Sequence, residues 1–207
     1  MAITFTGERV IPGQMPDTRD VQAHAARYIW AMHPFCRGKI VLDAACGSGY
    51  GTMILGWGAQ RVMGIDRDKD AIEYAEQTYG SHNVFFEQCN VYDLCKIIKP
   101  RSIDVVVSFE TIEHLDHPEA FMASVWNVLK PGGTLVCSAP WNSGSKYHFM
   151  DYTKEMLQDL LYPYFDSLVY YVQDLGQETM IRKEDKAASE HPTHIYVGKR
   201  RDFIVCA

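Results

Sequence analysis

A chain of 207 residues, 47% hydrophobic and 22% charged, carries enough apolar material for one domain with a sizeable core. Its formal net charge of −6 gives no support to tight binding of a polyanion, which needs a basic face. The six cysteines form no C-x-x-C pair, residues 1–22 lack the pattern of a secretory leader, and no window approaches the roughly 18 apolar residues of a membrane span. Buried thiols and a cytoplasmic setting are therefore expected.

Residues 1–19 form a turn-rich arm, F-T-G-E-R-V-I-P-G, with Gly7, Pro12, Gly13 and Pro16. It reads either as a disordered lead-in or, because Phe5, Val10 and Ile11 are apolar, as a segment packed on the domain. Residues 20–32 read as a helix, with Val21, Ala25, Tyr28, Ile29 and Met32 at three- and four-residue spacing and Pro34 to end it. His24, Arg27 and Tyr28 lie near one another on that helix. Arg27 has two readings, a two-pronged contact to a ligand carboxylate or an exposed arginine packing along its stem.

Ile40, Val41 and Leu42 then form an apolar run, as in a strand buried on both faces. Asp43 ends it, and Gly47, Gly49 and Gly51 follow, a spacing that turns the chain tightly and brings backbone N–H groups to a ligand. A second strand, 61–65, delivers Asp66, placed to hold the two hydroxyls of a ribose. Helices are expected at 50–57 and at 68–78, the latter capped by Asp68, with a third strand at 84–87. The alternation predicts a three-layer α/β domain with a parallel sheet and a nucleoside-containing cofactor across the carboxyl ends of its strands. Asp43 under the loop would repel a pyrophosphate and suits a ligand with an amino-bearing end.

The strongest central-strand signal is I-D-V-V-V-S, 103–108, running into F-E-T-I-E-H-L. Pro118 opens a helix whose stripe is Phe121, Met122, Val125, Trp126 and Leu129. K-P-G-G at 130–133 is read as a stop and turn before a fifth strand at 134–139. A polar loop follows, then a helix at 154–161 capped by Thr153 and a sixth strand at 164–172. Residues 176–189 read as an extended or mobile connection, and the last strand is either 194–197 or 202–206. No internal repeat and no second domain is evident.

Asp43, Cys46, Gly47, Gly49 and Gly51 match D-x-x-C/G-G-x-G-x-G, and Asp66, E-H-L at 113–115 and L-K-P-G-G at 129–133 follow in order. In these four motifs the chain, over about residues 4–176, resembles the class I S-adenosylmethionine-dependent methyltransferases of small-molecule type. Its T-G-E-R segment is similar to one in bacterial members associated with surface-glycan gene clusters, where it helps cover the cofactor. The resemblance implies a single domain, 1–207, with the arm at 1–19. Its fold would be Rossmann-like and three-layered, with a seven-stranded, mostly parallel sheet. The antiparallel last strand would be reached by a hairpin from the sixth and close the sheet's edge.

The resemblance also implies site residues. S-adenosyl-L-methionine would be held by Arg27, Asp43, Cys46, Gly47, Gly49, Asp66 and Arg67, and by Asn90 and Val91 or Tyr92 at the adenine. Asn90 stands where aspartate is commoner. Glu110 and Glu113 would lie beside the methionine part and the acceptor. Methyl transfer needs alignment and removal of the acceptor's proton. His148, in Y-H-F-M-D-Y-T at the carboxyl edge of the sheet, is the expected base, with Asp151 to orient it. His114 is its rival, and a histidine tying the loop to the next helix is the alternative. The chemistry requires no metal, and Glu113, His114, His148 and Asp151 show no tight ligand spacing along the chain, so no metal is expected.

The expected partner is a small-molecule acceptor bearing a hydroxyl or amine, with the T-G-E-R arm favouring a saccharide or nucleotide-sugar. No membrane and no nucleic acid is expected. F-E-T-I stands where amino-methylating DNA enzymes of this kind carry N/D-P-P-Y/F. The oligomeric state is open between monomer and homodimer. A non-catalytic S-adenosylmethionine-binding protein and a nicotinamide-dependent oxidoreductase are the alternatives. Asp43, Cys46 and the F-E-T-I-E-H-L loop count against the second.

Overall fold

The computed structural model describes residues 10–14, 19–174, 181–183 and 192–204. Five strands alternate with helices: α1 Arg19–Ala31, β1 Ile40–Ala44, α2 Tyr50–Gly56, β2 Arg61–Asp66, α3 Lys69–Tyr79, β3 Val84–Gln88, β4 Ile103–Ser108, α4 Pro118–Val128 and β5 Leu129–Pro140. After them come α5 Lys154–Leu161, β6 Phe165–Asp174, β7 Ile181–Arg182 and β8 Pro192–Arg200. The eight strands form one sheet in the order β3-β2-β1-β4-β5-β8-β6-β7. β1 to β5 pair in parallel, and β8 runs antiparallel to both β5 and β6.

The apolar runs are continuous because both faces of the sheet are covered. Val41, Val62, Val105 and Val107 point into one core with Tyr28, Ile54, Leu55, Ile72 and Ala75 of α1, α2 and α3. Leu42, Ile65, Val106 and Leu135 point into the other, with Phe121, Met122 and Val125 of α4 and Leu157 and Leu161 of α5. Alternate residues of one strand thus serve opposite layers. Of the α4 stripe, Trp126 is only half-buried, and Arg200 stacks on its ring at 3.8 Å.

Four expectations need correction. Pro34 does not end the first helix at once: a π-helical turn, Met32–Cys36, carries the chain past it, and a widened turn accommodates a missing N–H. K-P-G-G does not precede β5 but bulges within it, since Ile103 pairs Leu129 and Val105 already pairs Thr134, with Gly132 in the left-handed region at φ +67°. The last strand is the earlier candidate, 194–197, lengthened to 192–200, and residues 202–204 are outside any strand. That strand lies inside the sheet, not at its edge, because Ile195, Tyr196 and Val197 bury on both faces. Among the described residues the edge belongs to β7, a two-residue eighth strand beyond the expected seven. Of the expected buried thiols, Cys36, Cys46, Cys89 and Cys137 are buried and Cys95 is exposed.

The T-G-E-R residues lie outside the described residues, but the arm's end packs on the domain. Ile11 is fully buried beside Ala71 and Tyr74 of α3, and the Val10 carbonyl accepts from Ser48 Oγ at 2.6 Å.

Candidate functional site

At the carboxyl ends of β1, β2, β4 and β5 the layers part around a cavity of about 730 Å³. Its floor is the glycine loop. Ala45, Gly47 and Gly49 all take left-handed backbone, with φ +64°, +57° and +88°. Asp66 anchors that shape: Oδ2 accepts from Gly47 N and Oδ1 from Asp68 N, both at 2.9 Å. Asp68 in turn caps α3, accepting from Asp70 N and Ala71 N. Across the cavity, Asn90 accepts from Tyr92 N at 3.1 Å and so caps the turn that carries Val91 and Tyr92 along the wall.

The middle of the cavity is a buried polar network. Arg27, only 3% exposed, donates Nη1 to Gln173 Oε1 at 2.6 Å and places Nη2 3.6 Å from Glu110 Oε1. Its Nε has no partner among the described residues. Glu110, held in left-handed backbone at φ +51°, also accepts from Ser138 Oγ at 3.0 Å. His24 Nδ1 and the Tyr50 hydroxyl are hydrogen-bonded, and burial, then the nearby Arg27 charge, pushes the His24 pKa well down.

The outer end is made by two loops. The turn after β4 supplies Glu113 and His114, and the loop between β5 and α5 supplies His148. Phe149 N donates to the Glu113 carbonyl at 2.8 Å and fastens one loop to the other. The His114 and His148 rings meet edge to face, 4.8 Å apart. Glu113 is 0% exposed, neither carboxylate oxygen receives a hydrogen bond from the described residues, and burial chiefly, then the Glu110 charge, raises its pKa well above the usual carboxylate range. His148 Nδ1 contacts Asp151 Oδ1 at 3.2 Å and Ser143 Oγ at 2.9 Å.

The methyltransferase domain family matches residues 36–186, which run from before β1 to β7 and hold the cavity lining except Val10, the α1 residues and Thr193 of β8. The chain belongs to the class I S-adenosylmethionine-dependent methyltransferases. A probable S-adenosylmethionine-dependent methyltransferase of Mycolicibacterium smegmatis is 35% identical over 139 residues, 67% of this chain and 52% of that protein. A ubiquinone biosynthesis O-methyltransferase of Neisseria meningitidis is 33% identical over 130 residues, 61% of this chain and 54% of that protein. The chain thus spans about half the length of both relatives. Among solved structures, phosphoethanolamine N-methyltransferase 2 of Haemonchus contortus, in complex with S-adenosyl-L-methionine, superposes with a TM-score of 0.63 at 14% identity. The match covers 86% of this chain and 52% of that one, a likeness of fold.

In this methyltransferase domain most of the residues expected at the site do line the cavity: Arg27, Cys46, Gly47, Asp66, Arg67, Asn90, Val91, Glu110, Glu113, His114 and His148. Three stand behind the wall. Asp43 is 0% exposed beneath the loop, where its carboxylate accepts from Thr52 Oγ1 at 2.6 Å and the Tyr28 hydroxyl at 3.2 Å, so it braces α1 and α2 and does not line the cavity. Gly49 faces α3: a Cβ there would lie 2.5 Å from Ala75 Cβ and 2.8 Å from the Phe86 ring, so it is needed for packing as well as for φ. Asp151 is absent from the lining and meets it at His148, whose Nδ1 is 3.2 Å from Asp151 Oδ1. Sequence reading missed Tyr50, Phe109, Trp141 and Tyr147 on the cavity wall, and Ser138 and Gln173 behind it. Gln173 lies 146 residues from the Arg27 it fixes, and no local signal links them.

Proposed function

We propose that this chain transfers a methyl group from S-adenosylmethionine to a hydroxyl or amine of a small-molecule acceptor. The observation that carries the reading is the continuity of the cavity. Its inner half fits a nucleoside with an amino-acid tail, and its outer half gathers proton-accepting side chains. Asp66, beside the glycine loop, suits the ribose hydroxyls, since each carboxylate oxygen keeps a second lone pair after serving Gly47 and Asp68. The Asn90 side-chain amide is left to donate to the adenine edge, with Val91 against the ring. Arg27, with its buried unpartnered Nε, suits the tail's carboxylate, and Glu110 its ammonium group.

Bound there, S-adenosylmethionine supplies a methyl group on a positively charged sulfur. Acceptor oxygen or nitrogen bonds to the methyl carbon while the carbon–sulfur bond breaks, its electron pair staying on sulfur. The acceptor's proton leaves at the Glu113–His114–His148 cluster. His148, oriented by Asp151, and His114, oriented by the Tyr147 carbonyl at 3.2 Å, are the two proton acceptors. Trp141, Tyr147 and Phe149 line the cavity, with Phe149 72% exposed. Aromatic side chains can stack on a sugar, a nucleotide-sugar or a planar ring alike, which supports an acceptor of that kind.

The test is a label-transfer screen of purified protein, with methyl-labelled S-adenosylmethionine, against pools of sugars, nucleotide-sugars, phenols and amines. Transfer to one pool, lost in Asp66→Ala, is the expected result. Cofactor binding with no transfer to any pool would instead identify a binding protein on a methyltransferase fold.

A further inference from the structure

We propose that Gln173 is a positioning residue that, through Arg27, makes the site selective for a cofactor whose tail ends in a carboxylate. Its role rests on the S-adenosylmethionine reading of the cavity, though the side chain itself stays outside. Gln173 is 0% exposed near the end of β6, and its registered neighbour on β8 is Thr193, which lines the cavity. The amide is fixed at both ends. Oε1 accepts from Arg27 Nη1 at 2.6 Å, and Nε2 donates to the carbonyl of Ala23, one turn earlier on α1, at 3.1 Å. Neither contact survives reversal of the amide, because arginine only donates and a carbonyl only accepts. One side chain of β6 thus ties down α1 and aims the guanidinium that α1 carries.

The charge of the anchor matters as much as its direction. A buried arginine is ordinarily paired with a carboxylate. Here the short contact is to a neutral amide. The carboxylate beside it, Glu110, stands 3.6 Å from Nη2, too far for a good hydrogen bond, and accepts from Ser138 Oγ at 3.0 Å. Nε has no partner among the described residues. His24, whose pKa is pushed well down by burial and then by Arg27 itself, stays uncharged nearby.

A guanidinium only 3% exposed and lining a cavity therefore keeps charge that its own protein leaves largely unanswered. The missing partner is an anion that arrives with the ligand. A planar carboxylate matches the fork of donors that Gln173 leaves free. A glutamate in place of Gln173 would accept the same hydrogen bond but answer the charge from inside the protein. Neutrality at this position is thus what reserves Arg27 for the ligand.

The experiment measures the affinity of the whole chain for S-adenosylmethionine and for its decarboxylated analogue, by calorimetry at about pH 8, where a carboxyl beside an arginine is ionised. The two ligands share the adenosine, the sulfonium and the amino group, so the ratio of their affinities reads the carboxylate alone. The wild-type chain should prefer the intact cofactor by about 10- to 100-fold, the size of a charged hydrogen-bonded contact. Gln173→Met leaves the guanidinium charged but unaimed and should reduce that preference several-fold. Gln173→Glu also answers the charge and should reduce it further, by about tenfold or more. The decarboxylated analogue should bind both variants at least as well as the wild type, whereas a packing role alone would weaken the two ligands together. Equal binding of both ligands to the wild-type chain overturns the proposal even if neither variant folds. So do folded variants that keep the wild-type preference, or that lose both ligands in step. A preference lost in Arg27→Met but kept in the Gln173 variants removes Gln173 alone and leaves the cofactor reading standing. A wild-type chain that binds neither ligand removes that reading, and the proposal with it.

Discussion

Asp66 accepts from two backbone N–H groups of the protein itself, and the ribose role proposed for it is inseparable from the loop it shapes. Replacing it with alanine should weaken S-adenosylmethionine binding by roughly 1–3 kcal/mol in calorimetry, as lost charge-assisted hydrogen bonds do. Undiminished affinity in folded Asp66→Ala would remove the ribose assignment. Asp43, one strand away, answers to different physics. Burial first, with the Asp66 charge adding to it, lifts its carboxyl from 3.8 to about 7 against the opposing hydrogen bonds from Thr52 and Tyr28. A carboxyl raised on folding contributes its full stability where it is protonated in both states, below about pH 4, and loses that contribution as pH rises through the folded pKa. Urea melts of wild type and Asp43→Asn at about pH 5 and about pH 8 should therefore shift in favour of the variant at the higher pH. A constant difference would show that Asp43 is not raised. Both aspartates were singled out from sequence as ligand-side acids. Only Asp66 faces the cavity, because Asp43 still lies within β1 and points beneath the turn, toward α1 and α2.

At the scale of elements, caps and stripes were legible because they are local. Asp68 and Thr153 cap α3 and α5 as their residue types suggest, each accepting backbone N–H groups of the first turn. Asp68→Ala should cost about 1 kcal/mol of stability in urea melts, the usual size of a lost N-cap. The backbone N–H of residue 68 remains in the variant, so its hydrogen bond to Asp66 should persist. A cost near zero would mean that α3 is held by its buried face alone. The place of β8 was not legible. Pairing partners are chosen by two-sided burial, and that is a property of the neighbours β5 and β6 as much as of residues 192–200.

For the whole molecule, a ligand that binds the folded chain alone raises its stability by mass action. S-adenosylmethionine at about 100 times its Kd should add about 2.7 kcal/mol, which for a chain of this size is a rise in Tm of roughly 5–10 °C. NAD⁺ and NADP⁺ at equal concentrations should produce none, and a larger shift with either would return the oxidoreductase reading. The cavity supports this coupling, since α1, the glycine loop and the loops after β4 and β5 all line it and one ligand filling it would touch each of them. Among the described residues, no helix is long and apolar enough to cross a membrane.

The amino-acid sequence determined the strand–helix alternation, the double-sided burial of the sheet, the glycine turn with its downstream acid and the loops that face a ligand. These are written in short-range periodicity and in residue types with narrow backbone preferences. Tertiary structure alone decided which of those residues reach the cavity and what surrounds them. It set Gln173 against Arg27, Ser138 against Glu110 and His148 against His114, joining stretches of chain that carry no mark of one another. The outer cluster shows this most plainly. Glu113, His114 and His148 lack metal-ligand spacing along the chain, yet their ligand atoms converge within 4.8 Å once the β4 turn and the β5–α5 loop are fastened by a backbone hydrogen bond. Spacing along the chain measures proximity only within one helix or turn; between loops, it is the sheet's strand order that brings side chains together.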